Sequence, residues 1–404
     1  MKVICDRAAL LAAVNNVAAV TPQRTPSPAL SCLKLVASKV GGVGELRLWG
    51  TDAETSLELS LSAVDVAQPG SAAIPADKLR QIVQALEMEP TLTLETDGDT
   101  CTIKSGSSRF KIFTYPLEQF PQIPDFAALV AQGGGAKAVF SHAAGSLLSL
   151  INRTVFATAK ETSRYAINGV LLKRDGKKLE MVATDGRRLA LCRATLKPGA
   201  GDSGGATSCI IPTKALNLVT RLTHGPEEIV RVAISDNRVF FAFEEATAEA
   251  AKGKDAAKAG QGPRAVLSSA LVEGAFPPYE DVIPKDHDKK VTVDRDLLSA
   301  GVREAKILTN EESRGVRLAF SAKKKQVKIT SRAPEMGESE IDVELAGYDG
   351  EDVEISFNPE FIGDALKTMD EAQVVIELKA PNKPGVIRSG AEFLYVVMPV
   401  NLPT

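Results

Sequence analysis

The densest run of chemistry-bearing side chains is ATDGRRLALC (Ala183–Cys192), in which Asp185 precedes Arg187 and Arg188. A carboxylate two and three residues ahead of two guanidinium groups could supply the polar part of an enzyme site at a domain junction. Thr184-Asp185-Gly186 is equally a turn signal, because an Asp side chain bonds nearby backbone N–H groups and Gly accepts a left-handed φ. Other reactive groups are sparse. His142, His224 and His287 stand far apart, and Cys5, Cys32, Cys101, Cys192 and Cys209 show no CxxC spacing. An odd number of scattered cysteines reads as small core residues in a reducing cytoplasm. The Glu227-Glu228 and Glu311-Glu312 pairs fall on polar segments and read as solvated faces. Neither a GxxxxGK[ST] phosphate loop nor an HExxH pair occurs. No cofactor or metal is expected, and a binding or scaffold role is favoured over catalysis.

Something must position these residues, and 404 of them are too many for one core; two to four domains are expected. An apolar share of 44% with 25% charged residues is ordinary for a globular protein. No apolar run approaches the roughly 18 residues of a membrane span. Asp6 and Arg7 interrupt the apolar start before a secretory h-region can form. A net charge of −3 gives no overall attraction for nucleic acid. Cations can still be concentrated on one surface, with anions elsewhere.

The organisation is a threefold repeat. Apolar residues at helical spacing follow a strand and a proline three times: Leu79, Ile82, Val83, Leu86 after Ile74-Pro75; Ala215, Leu218, Val219, Leu222 after Ile211-Pro212; and Ile362, Ala365, Leu366, Met369 after Asn358-Pro359. Each proline is expected in the first helical turn, where its missing N–H costs nothing. A companion helix precedes each: Leu10, Ala13, Val14, Val17; Leu147, Leu150, Ile151; and Leu298, Gly301, Val302, Ala305. From Leu10 to Leu79, Leu147 to Ala215 and Leu298 to Ile362 the offsets are 69, 68 and 64 residues. Alternating strand patterns lie between, among them Glu45–Trp49, Ser56–Ser60, Gly169–Leu172, Leu179–Ala183, Leu189–Arg193, Val316–Phe320 and Gln326–Thr330. Hairpins are expected after each second helix, at Asp97-Gly98, Asp236-Asn237 and Pro381–Pro384. The reading is an α+β protein of three tandem copies, each with two helices on antiparallel sheets. Their bounds are 1–132, 133–287 and 288–404. Residues 131–137 are a linker, and 244–264 a mobile surface excursion from a hairpin of the second copy.

Several strings in this order resemble one family. RYAINGVLL (Arg164–Leu172), ATDGRRLALC, FPPYEDVIPK (Phe276–Lys285), NEESRGVRL (Asn310–Leu318), YVVMPVNL (Tyr395–Leu402), and SGSSRFKI with FPQIP in the first copy are similar to the beta subunit of bacterial DNA polymerase III. The resemblance runs from the first residues to within two of the last. It implies a non-catalytic cytoplasmic sliding clamp: two chains joined head to tail into a six-domain ring around double-stranded DNA, held without sequence preference. Its implied partners are a second copy, the polymerase catalytic subunit, clamp-loader subunits and other proteins with a clamp-binding motif, and no membrane.

On the non-apolar helix faces, Arg7, Arg80, Arg153, Lys214, Arg221, Arg303 and Lys367 are candidates for phosphate contact, and each is also readable as a solvated cation. Arg24, in the loop TPQRTPSP, matches a loop that touches DNA in the family. The second such loop corresponds to 160–163 and reads KETS here. The family's hydrophobic peptide pocket maps onto Ile167, Thr184, Gly186, Arg187, Leu189, Pro277, Val282, Val396, Met398, Pro399, Val400 and Leu402. Its rim departs from the family: Arg187 stands where histidine is common, and Glu280-Asp281 where residues are often basic. A ring-forming paralogue with other partners therefore stays open. For ring closure, Arg109, Phe110, Lys111 and Ile112, with Lys78, match one side of the subunit interface. Ile307, Leu308, Glu335, Glu338 and Glu340 match the other.

Overall fold

A computed structural model describes all residues except 41, 63, 161–165, 198, 200, 245–261, 310–314, 335 and 403–404. The expected excursion falls almost wholly on residues outside this description. The strands that would flank it, Arg238–Phe243 and Ala265–Ala270, do pair as an antiparallel hairpin. Among the described residues no helix is long and apolar enough to cross a membrane.

The helices are α1 (Arg7–Ala18), α2 (Ala76–Ala85), α3 (Phe126–Val130), α4 (Ala144–Asn152), α5 (Thr213–Leu222), α6 (Arg295–Ala305) and α7 (Pro359–Leu366). The six repeat helices stand where the periodicity puts them. Three of them start at side chains that accept orphan N–H groups: Asp6 from Ala9, Asp294 from Asp296 and Leu297, and Asn358 from Glu360. The proline rule holds only for Pro359, the first residue of α7. Pro75 and Pro212 instead end the strands Gly70–Pro75 and Thr207–Pro212. Both strands lie at a sheet edge, where a residue without an N–H breaks no ladder.

The described residues form two compact units. The first (Met1–Leu147, Lys197–Thr207, Lys214–Leu271) holds two sheets. One runs in the order Asp65–Gln68, Lys2–Asp6, Thr91–Asp97, Thr100–Ser105, Ser108–Phe113; α1 packs on α2 through the buried Leu10, Val14, Leu79 and Val83. The other has nine strands and runs from the second copy into the first. Ala265–Ala270 pairs antiparallel with Thr55–Ser62 over five residue pairs, from Ala265 opposite Leu59 to Ser269 opposite Thr55.

The second unit (Leu148–Leu196, Ser208–Thr213, Val272–Thr404) holds a sheet of twelve strands, with α6 packed on α7. It too crosses between copies, where Arg188–Thr195 pairs antiparallel with Phe393–Val397 over five pairs. The crossings are equivalent. In each, the third strand of the half-sheet after one copy's second helix meets the third strand of the half-sheet after the preceding copy's first helix. Two further strands hold the equivalent positions. Ser108–Phe113 ends its sheet, paired among the described residues only with Thr100–Ser105. Gly337–Asp349 gives residues 337–344 a ladder with Gln326–Ala333, and only from Leu345 onward does its other edge meet Lys289–Asp294.

Every cysteine is free and buried. Burial pushes the thiols up to about 11 at Cys32, Cys101 and Cys192 and to about 12 at Cys5 and Cys209, so they pack as small apolar groups.

Candidate functional site

Asp185, Arg187 and Arg188 have a structural explanation. The Asp185 carboxylate accepts the backbone N–H groups of Arg187 and Arg188 at 2.9 and 3.0 Å, closing a turn through Gly186 at φ +85°. The Arg188 guanidinium is nearly buried. It donates to Asp185 at 2.9 Å, to Asp364 of α7 at 3.0 Å and to the Phe156 carbonyl at 2.9 Å, and lies 4.5 Å over the Phe361 ring. Tyr395, in the strand across the crossing, donates to the Phe361 carbonyl at 2.9 Å. Arg188 thus ties the turn of the second copy to the second helix of the third. Arg188→Met leaves Asp185 without its cation and Asp364 with only the exposed Lys367 at 3.7 Å, and should cost about 3 kcal/mol in urea unfolding of the whole chain. A loss below about 1 kcal/mol would refute this role.

Arg153, expected on an exposed face, is the clear departure. It is buried just beyond α4, donating to the Thr368 carbonyl at 3.3 Å and to Asp370 at 3.0 Å, with Phe393 under its guanidinium. It is a second staple between copies and has no surface to offer phosphate. Lys214 is engaged with Asp52 across the other crossing. Arg7 is half-buried and donates to the Val83 carbonyl at 3.5 Å, and Arg80 pairs with Asp77 at 3.2 Å. Lys367 lies 3.7 Å from Asp364. Arg24, Arg221 and Arg303 are exposed, with no ion-pair partner among the described residues.

The residues expected to form a peptide pocket all fall in the second unit, over one apolar cluster. Leu189 and Val396 are buried there with Ala166, Leu171, Val182, Leu191, Tyr279 and Leu394, and Phe276 and Ile283 pack against them. Thr184 is buried, its hydroxyl donating to the Arg188 carbonyl at 2.7 Å. Ile167, Pro277, Pro399, Val400 and Leu402 are half-buried, and Gly186 and Arg187 exposed. The Met398 N–H donates to the Arg187 carbonyl at 2.9 Å, seating the tail on the turn. Two large apolar side chains stay in solvent at the border of this cluster, Val282 at 52% and Met398 at 42% exposure.

The two open strand edges carry the interface candidates. On one, Arg109, Phe110 and Lys111 are exposed and Ile112 half-exposed. Phe113, which motif reading passed over, is 76% exposed. On the other, Glu338 and Glu340 are exposed and Leu308 lies beside Gly337, while Glu340 pairs with Lys328 of its own sheet. Ile307 is 75% exposed, and Met336, also passed over, 67%. Glu335 lies outside the described residues. Lys78 is exposed on α2 and bonds Gln81 at 3.4 Å. In the helical repeat Lys78, Lys214 and Phe361 are equivalent, each preceding the first apolar position. Lys214 and Phe361 both touch the neighbouring copy, through Asp52 and Arg188.

Motif reading also missed that Gly201–Gly205 (GDSGG) has a nucleophile-elbow spelling. Ser203 lies in the two-residue strand Ser203–Gly204, paired with Ala138 and Val139. Asp202 accepts the N–H groups of Ser141 and Gly199 at 3.0 and 2.8 Å. A strand ladder with no helix after the serine lacks the strand–turn–helix setting of that motif.

Comparison with known proteins fits this geometry. Models of the DNA polymerase III beta subunit match the chain three times, the N-terminal domain over residues 1–124, the central domain over 143–251 and the C-terminal domain over 280–401. The beta sliding clamp of Pseudomonas putida is 32% identical over 399 residues, covering 98% of this chain and 99% of that one. The beta sliding clamp of Escherichia coli K12 is 31% identical over 404 residues, all of both chains. Among solved structures, a sliding clamp of Pseudomonas aeruginosa bound to griselimycin superposes over all of both chains with a TM-score of 0.85 at 31% identity. A DNA polymerase sliding clamp of Bacillus subtilis also gives 0.85, at 25% identity and full coverage of both chains.

Proposed function

Since the chain belongs to the DNA polymerase III beta subunit family, we propose that two copies close head to tail into a six-domain ring. The family places three α+β clamp domains in each chain. It also makes the protein a non-catalytic processivity factor of DNA replication, a sliding clamp that encircles duplex DNA. We take the domains as 1–132, 133–287 and 288–404 and the site of action as the cytoplasm.

One observation carries the ring. Two equivalent strand crossings occur within the chain, and a third pair of equivalent edges, Ser108–Phe113 and residues 337–344, stands open. Joining the edges of one chain to those of a second repeats the same joint twice more. Because the two edges differ, the contact is heterologous, and such contacts form rings when the rotation closes. The chemistry suits the pairing: Phe110 and Phe113 with Arg109 and Lys111 on one side, Ile307 and Met336 with Glu338 on the other. Lys78 would then hold the place at this joint that Lys214 and Phe361 hold at the others. Sedimentation equilibrium at micromolar concentration should give twice the chain mass. A monomer, or an open series of larger species, would end this reading.

Arg24, Arg221 and Arg303, with Arg80 and Lys367 whose ion pairs are exposed, are the cations we assign to DNA phosphate, in weak and sequence-blind contacts as sliding requires. The cleft around Leu189, Val282, Val396 and Met398 is the proposed seat for a short peptide from the polymerase, the clamp loader or other partners. A methionine at the rim of an apolar site adapts to differing side chains.

A further inference from the structure

We infer that this cleft selects linear peptides in which aliphatic and aromatic anchors are flanked by Lys or Arg, recognised by an acidic lip at Glu280 and Asp281; this rests on the peptide-cleft reading above. The lip is a short 3₁₀ turn, Tyr279–Val282, held from beneath. Tyr279 is buried in the apolar cluster, meets Phe276 edge-to-face at 6.2 Å, and donates its hydroxyl to Glu180, which also pairs with Arg193 at 2.7 Å. Ile283 packs on the same cluster. Between these anchors, Glu280, Asp281 and Val282 are left facing solvent, so two carboxylates sit directly beside the exposed apolar side chain.

Little offsets that charge. Lys173 lies 3.4 Å from Glu280 with both side chains well exposed, a surface pair of small worth that leaves the carboxylate accessible. Asp281 has no ion-pair partner among the described residues. The turn at Gly186 presents Arg187, exposed and likewise without an ion-pair partner among them. A ligand entering through apolar anchors therefore meets a lip of one sign and a turn of the other. A cation beside the anchors is attracted to the lip, and an anion in the same place is repelled by two adjacent carboxylates. Electrostatic fit of this kind governs selection more than bulk affinity.

The test uses the full chain and two labelled peptides, Lys-Lys-Leu-Gly-Leu-Phe and Glu-Glu-Leu-Gly-Leu-Phe, with fluorescence anisotropy at low and moderate salt. The Lys peptide should bind about tenfold tighter at low salt, with the gap narrowing as salt rises. The double variant Glu280→Lys, Asp281→Lys should invert the order. Equal affinity of the two peptides for the unaltered chain, or an order unchanged in the double variant, overturns the acidic-lip assignment. Failure of both peptides to bind at about 1 mM, or binding indifferent to Met398→Asp, defeats the peptide-cleft reading itself.

Discussion

Phe110→Asp combined with Phe113→Asp should turn the proposed dimer into a monomer, raising its dissociation constant at least about a thousandfold. The reasoning begins with the strand. Ser108–Phe113 ends its sheet, and its side chains are largely exposed, so it contributes little to the core of its own unit. Burying a Phe side chain is worth about 1.5–3 kcal/mol, and in the proposed joint each replacement would also bring a carboxylate toward the edge that carries Glu338. The opposite edge should respond alike: Ile307→Asp with Met336→Asp removes the two most exposed apolar side chains beside residues 337–344. Each double variant should stay folded by circular dichroism while losing half the mass in sedimentation. Ile229→Asp, an exposed apolar position on a strand paired on both sides, should leave the dimer intact. If the edge variants stay dimeric, the joint lies elsewhere.

Met398→Asp should weaken binding of a partner peptide about a hundredfold, read by calorimetry with the polymerase catalytic subunit as ligand. Met398 is joined to the turn at Gly186 through its backbone, so the tail should keep its course when the side chain changes. What is lost is an exposed apolar side chain, replaced by a charge that a buried anchor would have to desolvate. Dimer mass should not move, because the edge strands are untouched. Unchanged affinity would show that the exposed pair Val282 and Met398 does not form the ligand's seat.

Much of this was legible in the residues. The six repeat helices carry clear apolar rows, and spacing alone aligns the three copies. Long-range partners were not legible. Arg153 reads like any polar-face cation until Asp370, 217 residues away, is brought beside it. The prolines misled because Ile-Pro closes an edge strand in two copies, whereas in the third Asn358 caps the helix and Pro359 opens it. The Gly337–Asp349 strand has simple alternation, with Val343 buried between Asp342 and Glu344 and Leu345 buried after it, yet its role as a link between two strand ladders depends on an irregular register at Thr292–Val293. In the cleft, core positions such as Leu189 and Val396 cannot be told from rim positions such as Val282 and Met398 by residue type. Burial separates them.

The claim that the chain holds DNA by enclosure is tested most directly by loading it onto a nicked circular duplex, washing at high salt and then cutting the circle once. Enclosure predicts that the protein stays on the circle through the wash and leaves within minutes of the cut. Loss during the wash, or equal retention on circular and linear DNA, would contradict it.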